Sequence, residues 1–497
     1  MVDVAGWMAM NSYEKRYMMQ RRAFVKTSLI GTGVMLARTI RPVAGASMPK
    51  PPGGEKSNAP RGLKVSANRR FLADAHSGRP FFLLADTAWN INALNYADLE
   101  LYLASRKRHG FTAIMFCLDF YPQSDGLDAY GESAYIGARK TELNPKYFSY
   151  CDHLVDRAAH YGLYTMIYSM WAGPRSGIMN SYTIPELHGI GMKLGTHFRN
   201  KGNVIHVAGG ESTPPYISPK HVDALGRGLK AGCGGRHLIT VHPCYNRSCS
   251  VYYSHETWLD FYMIQGASSK QGAHYDMTRP IAHDYQLSSP RPTMIAENYY
   301  DSGTHQPPHL QRRNLYLSVF AGAFGCAYGH DALWQMTPHT RKRWMLGSWP
   351  PGVANWRQAL NTPAVSDLHY IKPLLYSRPY FQRIPDQSLI LAGQGRGITD
   401  RIQATRDGVA GQPNATYLMA YLAAPAAAVL DTGLIAGKSL NAFWFNPATG
   451  KSSVIRLNFP NNGKLHLARR SHGHDWVVVV DDAAGKYAPP GEVPRRG

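Results

Sequence analysis

The chain has 497 residues, of which 44% are hydrophobic and only 18% charged, so the composition excludes a disordered protein and the length favours two folded domains. The formal net charge is +21, but the basic residues are scattered and match no helix-turn-helix or zinc-finger spacing, which argues against nucleic-acid binding. The six cysteines include no CxxC pair, which argues against a zinc ribbon.

Residues 1–46 have the pattern of a twin-arginine export signal. Arg21 and Arg22 are followed by Phe24, by an apolar run over residues 27–37 and by the small residues Ala44-Gly45-Ala46, after which we expect cleavage. This run is shorter than the ~20 residues that span a bilayer, so no membrane span is expected after cleavage. We therefore expect export to the periplasm or the extracellular space. The alternative is a cytoplasmic helix with a basic start.

The part of the chain after the signal keeps most of the positive charge. Seven basic and two acidic residues lie in the first 46, which leaves +16 on the other 451. Such a charge favours acidic partners, among them uronate-rich polysaccharides. Residues 47–60 are rich in Pro and Gly and are expected to form a linker. Met18 and Met19 compete with Met1 as the start of translation, because 17 residues ahead of Met18 are unusual before such a signal.

From residue 61 to 378, short apolar runs alternate with longer amphipathic stretches. Continuous apolar strands, each followed by a helix, indicate a parallel sheet covered on both faces. Eight such units in roughly 250 residues favour an α/β fold of the (β/α)8 (TIM) barrel type over an open doubly wound sheet. No GxGxxG motif follows the first strand, which argues against a dinucleotide cofactor. The predicted strands are Phe81–Thr87, Phe111–Phe120, Leu163–Met170, Asn203–Glu211, Leu238–Cys244, Phe261–Ala267, Pro292–Tyr299 and Phe324–Gly329. The predicted helices are Tyr96–His109, Lys146–His160, Pro185–Asn200, Pro219–Ala231 and Leu310–Ala321.

Residues 379–497 have a different pattern, in which short β-rich runs are separated by turns. The turn chemistry is clearest at residues 446–450 and in Asn461-Asn462-Gly463. This pattern predicts a small antiparallel β-sandwich domain. Its predicted strands are Ser388–Ala392, Arg401–Thr405, Thr416–Leu422, Ala442–Phe445, Ser453–Leu457 and Trp476–Val480.

Two predicted barrel strands, the fourth and the seventh, end in glutamate. These are Glu211 and Glu297. Chemistry in a (β/α)8 barrel takes place at the C-terminal ends of the strands, and glycosidic cleavage needs two carboxyl groups. We therefore predict that Glu211 and Glu297 are the catalytic pair of a glycoside hydrolase. The alternative is that each is a salt-bridged residue of the barrel rim.

Polar and aromatic residues at the other strand ends are predicted to bind substrate. Sugars need hydrogen-bonding partners for their hydroxyls and flat aromatic faces for their C–H surfaces. Trp89 has the alternative of a core position, and Asp86 that of a turn cap. The predicted substrate-binding residues are Asp86, Trp89, Asp119, Trp171, His242, Gln265, His330 and Trp334.

No metal or other cofactor is predicted. His255-Glu256-Thr257-Trp258-Leu259 begins like the HExxH zinc motif but lacks its second histidine. Three cysteines, Cys233, Cys244 and Cys249, cluster in one loop-rich stretch, and the sequence leaves their disulfide status open.

Several of these segments resemble the apiosidase-like glycoside hydrolases. Residues 79–89 (Arg-Pro-Phe-Phe-Leu-Leu-Ala-Asp-Thr-Ala-Trp) resemble the first strand of that family, and residues 109–114 its second. Gly209-Gly210-Glu211 is similar to the Gly-Gly-Asp of its acid/base position, and Glu297 to its nucleophile. Residues 417–425 and 444–450 resemble the C-terminal domain that often follows this barrel and is traditionally called collagen-binding. The resemblance covers roughly residues 60–480.

The resemblance implies a retaining mechanism and action on pectin side chains of plant cell walls, with apiose as the best-known sugar released. Glu297 would then be the ionised nucleophile, and Glu211 the acid with a raised pKa. The glutamate at position 211, in place of aspartate, implies a pocket for a different sugar. Two other hypotheses are a carbohydrate-binding protein without turnover, which the presence of both glutamates disfavours, and a protein-binding module, for which no protease machinery is found.

Overall fold

The computed structural model describes residues 60–120, 126–173, 178–244, 246–266, 276–301, 307–336 and 356–492. The predicted signal peptide, and the linker apart from Pro60, lie outside these described residues. Through residue 328 the strands are β1 (Leu63–Val65), β2 (Leu72–Asp74), β3 (Pro80–Phe81), β4 (Leu83–Thr87), β5 (Ala113–Cys117), β6 (Tyr135–Ile136), β7 (Glu142–Leu143), β8 (Tyr164–Tyr168), β9 (Val204–Val207), β10 (Ile239–Thr240), β11 (Arg247–Ser248), β12 (Tyr262–Gln265), β13 (Thr293–Glu297) and β14 (Gly325–Tyr328).

Eight parallel strands form a curled sheet in the order β10-β9-β8-β5-β4-β14-β13-β12. The two ends of this sheet meet where the Asp260 backbone N–H donates to the Ile239 carbonyl and Thr240 Oγ1 donates to the Phe261 carbonyl, both at 2.8 Å. Every residue of these eight strands is buried, which explains why they are continuous apolar runs in the sequence. All eight predicted strands are confirmed, and so is the barrel fold.

The helices surround this sheet. The five predicted helices are confirmed to within two residues at each end, whereas Thr278–Gln286, between β12 and β13, was not predicted. Short elements of two to six residues, including the N-terminal sheet β1-β2-β3, were also missed because they are too short to show a periodic pattern. The helices are α1 (Tyr96–Arg108), α2 (Pro145–His160), α3 (Ile184–Phe198), α4 (Pro219–Gly232), α5 (Ser250–Tyr253), α6 (Thr278–Gln286), α7 (His309–Phe320), α8 (Asp331–Gln335), α9 (Trp356–Ala359), α10 (Pro363–Asp367) and α11 (Ile371–Tyr376).

The C-terminal domain is the predicted antiparallel sandwich. One sheet has the order β15-β17-β18-β23-β20-β21 and the other β16-β19-β22, and a single apolar cluster joins the two. Three of its strands, β15, β19 and β22, were not predicted. Its strands are β15 (Ile384–Pro385), β16 (Ile390–Ala392), β17 (Ile402–Arg406), β18 (Tyr417–Leu422), β19 (Ala428–Asp431), β20 (Ser439–Phe445), β21 (Ser452–Pro460), β22 (Lys464–Leu467) and β23 (Trp476–Asp482).

The larger sheet of the sandwich packs against the barrel. In β18, Leu418 and Ala420 belong to the sandwich core, whereas Tyr417 and Tyr421 belong to the barrel core. The Tyr421 ring stacks on Tyr316 of α7, with 5.1 Å between centroids. Residues 57–497 accordingly form one compact unit.

Three further observations bear on function. No helix among the described residues is long and apolar enough to cross a membrane. The described residues contain no cluster of His, Cys, Asp or Glu that could hold a metal ion. All six cysteines are buried free thiols.

Candidate active site

Glu297 and Glu211 lie close together at the C-terminal ends of two barrel strands, β13 and β9, that are separated by β12 and β10. Glu297 is the last residue of β13, and Glu211 follows β9. Gln265, the last residue of β12, donates from Nε2 to Glu297 Oε2 at 2.8 Å and to Glu211 Oε1 at 3.4 Å. These two carboxylate oxygens are therefore no farther apart than the sum of the two distances, about 6.2 Å. The structure thus brings the two predicted catalytic residues together.

The carboxylate and backbone of Glu211 are held from several sides. Trp171 Nε1 donates to Glu211 Oε2 at 3.1 Å. The backbone N–H donates to His242 Nδ1 at 3.4 Å, and the Cys244 thiol donates to the carbonyl at 3.0 Å. Its φ of +47° lies in the left-handed region, which is uncommon for a residue other than glycine. Such a conformation persists only where the surroundings enforce it, and it occurs often at active sites.

Glu297 is contacted by Tyr300, which the sequence analysis did not identify. The Tyr300 hydroxyl lowers the pKa of the Glu297 carboxyl, and Trp89 Nε1 donates to the Tyr300 hydroxyl oxygen at 2.9 Å. Because the indole N–H can only donate, the Tyr300 oxygen accepts from Trp89, and its single proton remains available to Glu297. Tyr300 follows Glu297 by three residues, which was the only sequence signal that could have found it.

Burial raises the pKa of Glu297 to about 8, and the charge of Glu211 adds to this effect. The hydrogen bonds from Tyr300 and Gln265 act in the opposite direction, since they stabilise the ionised form. The sequence analysis expected the raised pKa at Glu211 and an ionised Glu297. The structure instead gives Glu297 itself a raised pKa, which favours its protonated form at neutral pH.

His242 is neutral and lies near both glutamates. Complete burial lowers its pKa to about 3. Since Nδ1 accepts from the Glu211 N–H, the ring proton lies on Nε2, which is 3.6 Å from Glu297 Oε2. The predicted residue is therefore in the site, near the Glu297 carboxyl but not hydrogen-bonded to it.

An aromatic cluster lies beside the two carboxyl groups. The Trp89 ring lies 5.1 Å from Trp171 and 4.9 Å from Tyr168, and Phe120 lies 4.8 Å from Trp171. Trp334 joins this cluster through Phe120, at 5.9 Å. The predicted Trp89, Trp171 and Trp334 therefore lie in one group of rings, of the kind that sugars stack on.

Three predicted substrate-binding residues are not brought to the carboxyl pair by the contacts of the described residues. Asp86 is fully buried and accepts from Tyr102 Oη at 2.7 Å and Arg106 Nη1 at 3.0 Å. Both partners belong to α1, so Asp86 faces the helix layer, and this corrects its assignment to the sugar pocket.

The other two residues contact neighbouring elements. His330 caps α8, because its Nδ1 accepts from the Ala332 N–H at 2.9 Å. Asp119 lies beside Tyr135 and Tyr182, and its charge contributes to the raised pKa of both phenols. The direction of these three side chains could not be inferred from their position at a strand end.

A (β/α)8 barrel with two buried carboxyl groups at its strand ends has the fold and site of a glycoside hydrolase. The family described as "Apiosidase-like, catalytic domain" matches residues 66–382, and "Putative collagen-binding domain of a collagenase" matches residues 384–481. The first match covers more than half of the chain, and the protein therefore belongs to the apiosidase-like family.

Solved structures of glycoside hydrolases are similar to this chain. One described as "Glycoside hydrolase" has 27% sequence identity and a TM-score of 0.75 over 86% of this chain and 99% of its own. A glycoside hydrolase family 5 structure from Bacteroides vulgatus has 25% identity and a TM-score of 0.77, over 88% and 96%. A third, described as "a putative glycoside hydrolase" from the same organism, shares the fold at 10% identity with a TM-score of 0.61, over 86% of this chain and 83% of its own. No curated protein sequence matches the chain.

Proposed function

We propose that this glycoside hydrolase is a retaining enzyme that removes sugars from pectin-type side chains of plant cell-wall polysaccharides. The observation that supports a retaining mechanism is the bound of about 6.2 Å between carboxylate oxygens of Glu211 and Glu297. Retaining enzymes have carboxyl groups about 5–5.5 Å apart, whereas inverting enzymes need about 6.5–9.5 Å to seat a water molecule.

In the proposed reaction, Glu297 attacks the anomeric carbon while Glu211 protonates the departing oxygen. The bond from carbon to the leaving group breaks as the bond to Glu297 forms. Glu211, now ionised, then takes a proton from water, and the resulting hydroxide displaces Glu297. Trp171 and Gln265 donate to Glu211 and hold its carboxylate, while Tyr300 and Gln265 stabilise the charge on Glu297.

This scheme requires a particular distribution of the proton. The pair must carry one proton, and that proton must lie on Glu211 when the substrate is in place. Burial of Glu297 acts against this arrangement, because it favours the protonated form of Glu297. Every hydrogen bond to the Glu297 carboxylate acts in favour of it.

The stereochemistry of the first product tests the mechanism. Proton NMR during early hydrolysis should show the released sugar in the anomeric configuration of the substrate. Glu297→Gln should abolish turnover with the fold intact, as judged by circular dichroism. An inverted first product, or full activity of Glu297→Gln, would exclude the retaining role of this pair.

The substrate class rests on the family resemblance and on the net charge of +16 after residue 46. A panel of plant polysaccharides, read out as released monosaccharides, should give its strongest signal with rhamnogalacturonan-type pectin and a weak one with neutral glucans. Binding to pectin should weaken as sodium chloride rises, since screening shortens electrostatic range to about 8 Å at physiological ionic strength. Equal release from neutral glucans, or salt-independent binding, would remove acidic pectin from the proposal.

We also propose export by the twin-arginine route to the periplasm or the extracellular space. Arg21 and Arg22 are the feature that this proposal rests on. Replacing both with lysine should trap the precursor in the cytoplasm, while the unchanged chain should yield a mature protein that begins near Ser47. Normal export of the double variant would exclude this route.

A further inference from the structure

Gly173 provides the space in which the Glu211 carboxylate lies. It follows β8 by five residues and is buried. A Cβ built on Gly173 would lie 1.7 Å from Glu211 Oε2 and 2.8 Å from its Cδ, well inside any contact distance. The φ of Gly173 lies outside the left-handed region, so its backbone conformation is open to other residues. The absence of a side chain at this position therefore matters for space alone.

The backbones on both sides of this contact are fixed. The Gly210 N–H donates to the Met170 carbonyl at 3.0 Å, and the Ala172 N–H donates to the Gly210 carbonyl at 2.8 Å. These bonds tie the chain before Gly173 to the chain before Glu211. The space is also closed at Gly210, whose Cβ would lie 2.0 Å from the Trp171 ring.

Glu211 has little freedom to pivot. Its backbone bonds to His242 and Cys244 hold it in the left-handed conformation. A methyl group at position 173 therefore displaces the Glu211 carboxylate, and because it would also lie 2.9 Å from the Glu211 Cβ, rotation of the side chain alone does not relieve the contact. The displacement takes Oε2 away from the indole N–H of Trp171, the donor that holds it at 3.1 Å.

We propose that Gly173 is a positioning residue for the proton donor of the reaction, because the Glu211 carboxylate can reach its place only against a residue without a side chain. This inference rests on the proposed role of Glu211 as acid. It assigns to a glycine in the β8 loop a function that acts entirely through Glu211.

The first test compares two leaving groups. For Gly173→Ala, kcat/KM on the phenyl glycoside of the sugar that the wild type releases should fall about 100-fold, the scale expected for a displacement of about 1 Å, whereas kcat/KM on the 2,4-dinitrophenyl glycoside of the same sugar should fall less than about threefold. The activated leaving group needs little protonation, and kcat/KM reports the step in which it departs. Glu211→Gln should show the same contrast. Gly189→Ala is the matched control, because a Cβ on Gly189 of α3 has no neighbour within 4 Å.

The second test makes room for the methyl group by shortening the side chain at position 211. Glu211→Asp withdraws the carboxylate and relieves the contacts at 1.7 and 2.8 Å, so adding Gly173→Ala to Glu211→Asp should cost several-fold less on the same phenyl glycoside than the about 100-fold expected in the wild type. A merely structural defect at position 173 would cost the same in both backgrounds. Equal costs, or the same loss on both leaving groups, would overturn the inference.

A crystal structure of Gly173→Ala separates this inference from the proposed function. We expect Glu211 Oε2 to be beyond hydrogen-bond distance of Trp171 Nε1. If the carboxylate keeps that bond, Gly173 does not position it, whatever the enzyme acts on. If the bond is lost but Glu211→Gln shows no dependence on the leaving group, the role of Glu211 as acid fails while the contact with Gly173 stands.

Discussion

The indole N–H of Trp89 donates to the hydroxyl oxygen of Tyr300 at 2.9 Å, and this bond leaves the Tyr300 proton for Glu297. A residue after the first barrel strand thereby sets the direction of a hydrogen bond to the carboxyl group at the end of the seventh. Tyr300 can take this position only because residue 329 is a glycine, since a Cβ on Gly329 would lie 2.2 Å from the Tyr300 ring.

Tyr300→Phe should lower kcat/KM by about 10–100-fold, the value of one hydrogen bond to a charged group. Without that bond the ionised form of Glu297 is less stable, so the arrangement with the proton on Glu211 is rarer. The last proton of the pair leaves near pH 8, where activity should begin to fall in the wild type.

In Tyr300→Phe the alkaline limb of the pH profile, where kcat/KM falls, should move to higher pH, because the pKa of Glu297 rises further. The measurement is a pH profile of kcat/KM, with Tyr299→Phe as the control. The Tyr299 bond to Gln311 uses its backbone carbonyl and survives the change. An unmoved alkaline limb would show that Tyr300 does not bond to the ionised Glu297.

Folding stability should fall as pH rises from about 4.5 to about 8 on account of Glu297. The pKa of this group is raised from 4.5 to about 8 on folding, so the native state binds more protons than the unfolded state within that window. The slope reaches at most about 1.4 kcal/mol per pH unit, and the effect is complete above pH 8.

Glu297→Gln removes this contribution. The free energy of unfolding of the variant should therefore rise relative to that of the wild type between pH 5 and 8, and the difference should stay constant at higher pH. Urea unfolding across this range measures it. Glu142→Gln is the control, because the Glu142 side chain is 61% exposed. A difference between Glu297→Gln and wild type that does not change with pH would contradict the raised pKa.

Gly191→Ala should destabilise the barrel by about 1–3 kcal/mol, the usual cost of overpacking. Helices α3 and α4 are in direct backbone contact at this point, and a Cβ on Gly191 would lie 2.5 Å from the Leu225 carbonyl oxygen. Gly189→Ala, two residues earlier and facing open space, should instead stabilise by up to about 1 kcal/mol, because alanine favours helix. Thermal unfolding of both variants gives the comparison. Similar melting temperatures would mean that the two helices can move apart.

Asp475→Ala should cost about 1.5–3 kcal/mol, because Arg312 and Tyr421 lose a buried charged partner, although Arg312 keeps its ion pair with Asp367. Arg312 Nη2 lies 2.7 Å from Asp475 Oδ1, and the exposed fractions of the two side chains are 4% and 2%. Tyr421 donates to the same carboxylate at 3.0 Å.

The control for this prediction is Asp156→Ala, which removes an ion pair with Lys201 whose carboxylate is 61% exposed and which should cost less than about 1 kcal/mol. Urea unfolding measures both. Equal costs for the two variants would show that the pair between α7 and the sandwich adds nothing to stability.

The alternation of strands and helices could be predicted from the sequence because each barrel strand is covered on both faces. Complete burial produces an unbroken apolar run, and the glutamates Glu211 and Glu297 stand out at the ends of two such runs. The sandwich strands were partly missed because β19 and β22 have only four residues each. Their alternation of buried and exposed side chains is too short to detect.

Which way each side chain points was decided only by the tertiary structure. In β4 every residue is buried, so the sequence cannot say that Asp86 faces Arg106 of α1 and not the sugar site. The sequence likewise gives no sign of the role of Gly173. Its lack of a side chain matters only because the Glu211 carboxylate, which follows the neighbouring strand β9, packs against it in the folded barrel. Apolar periodicity along the chain determines the strands, whereas contacts between strands far apart in sequence determine which polar atoms meet, and those contacts exist only once the barrel has formed.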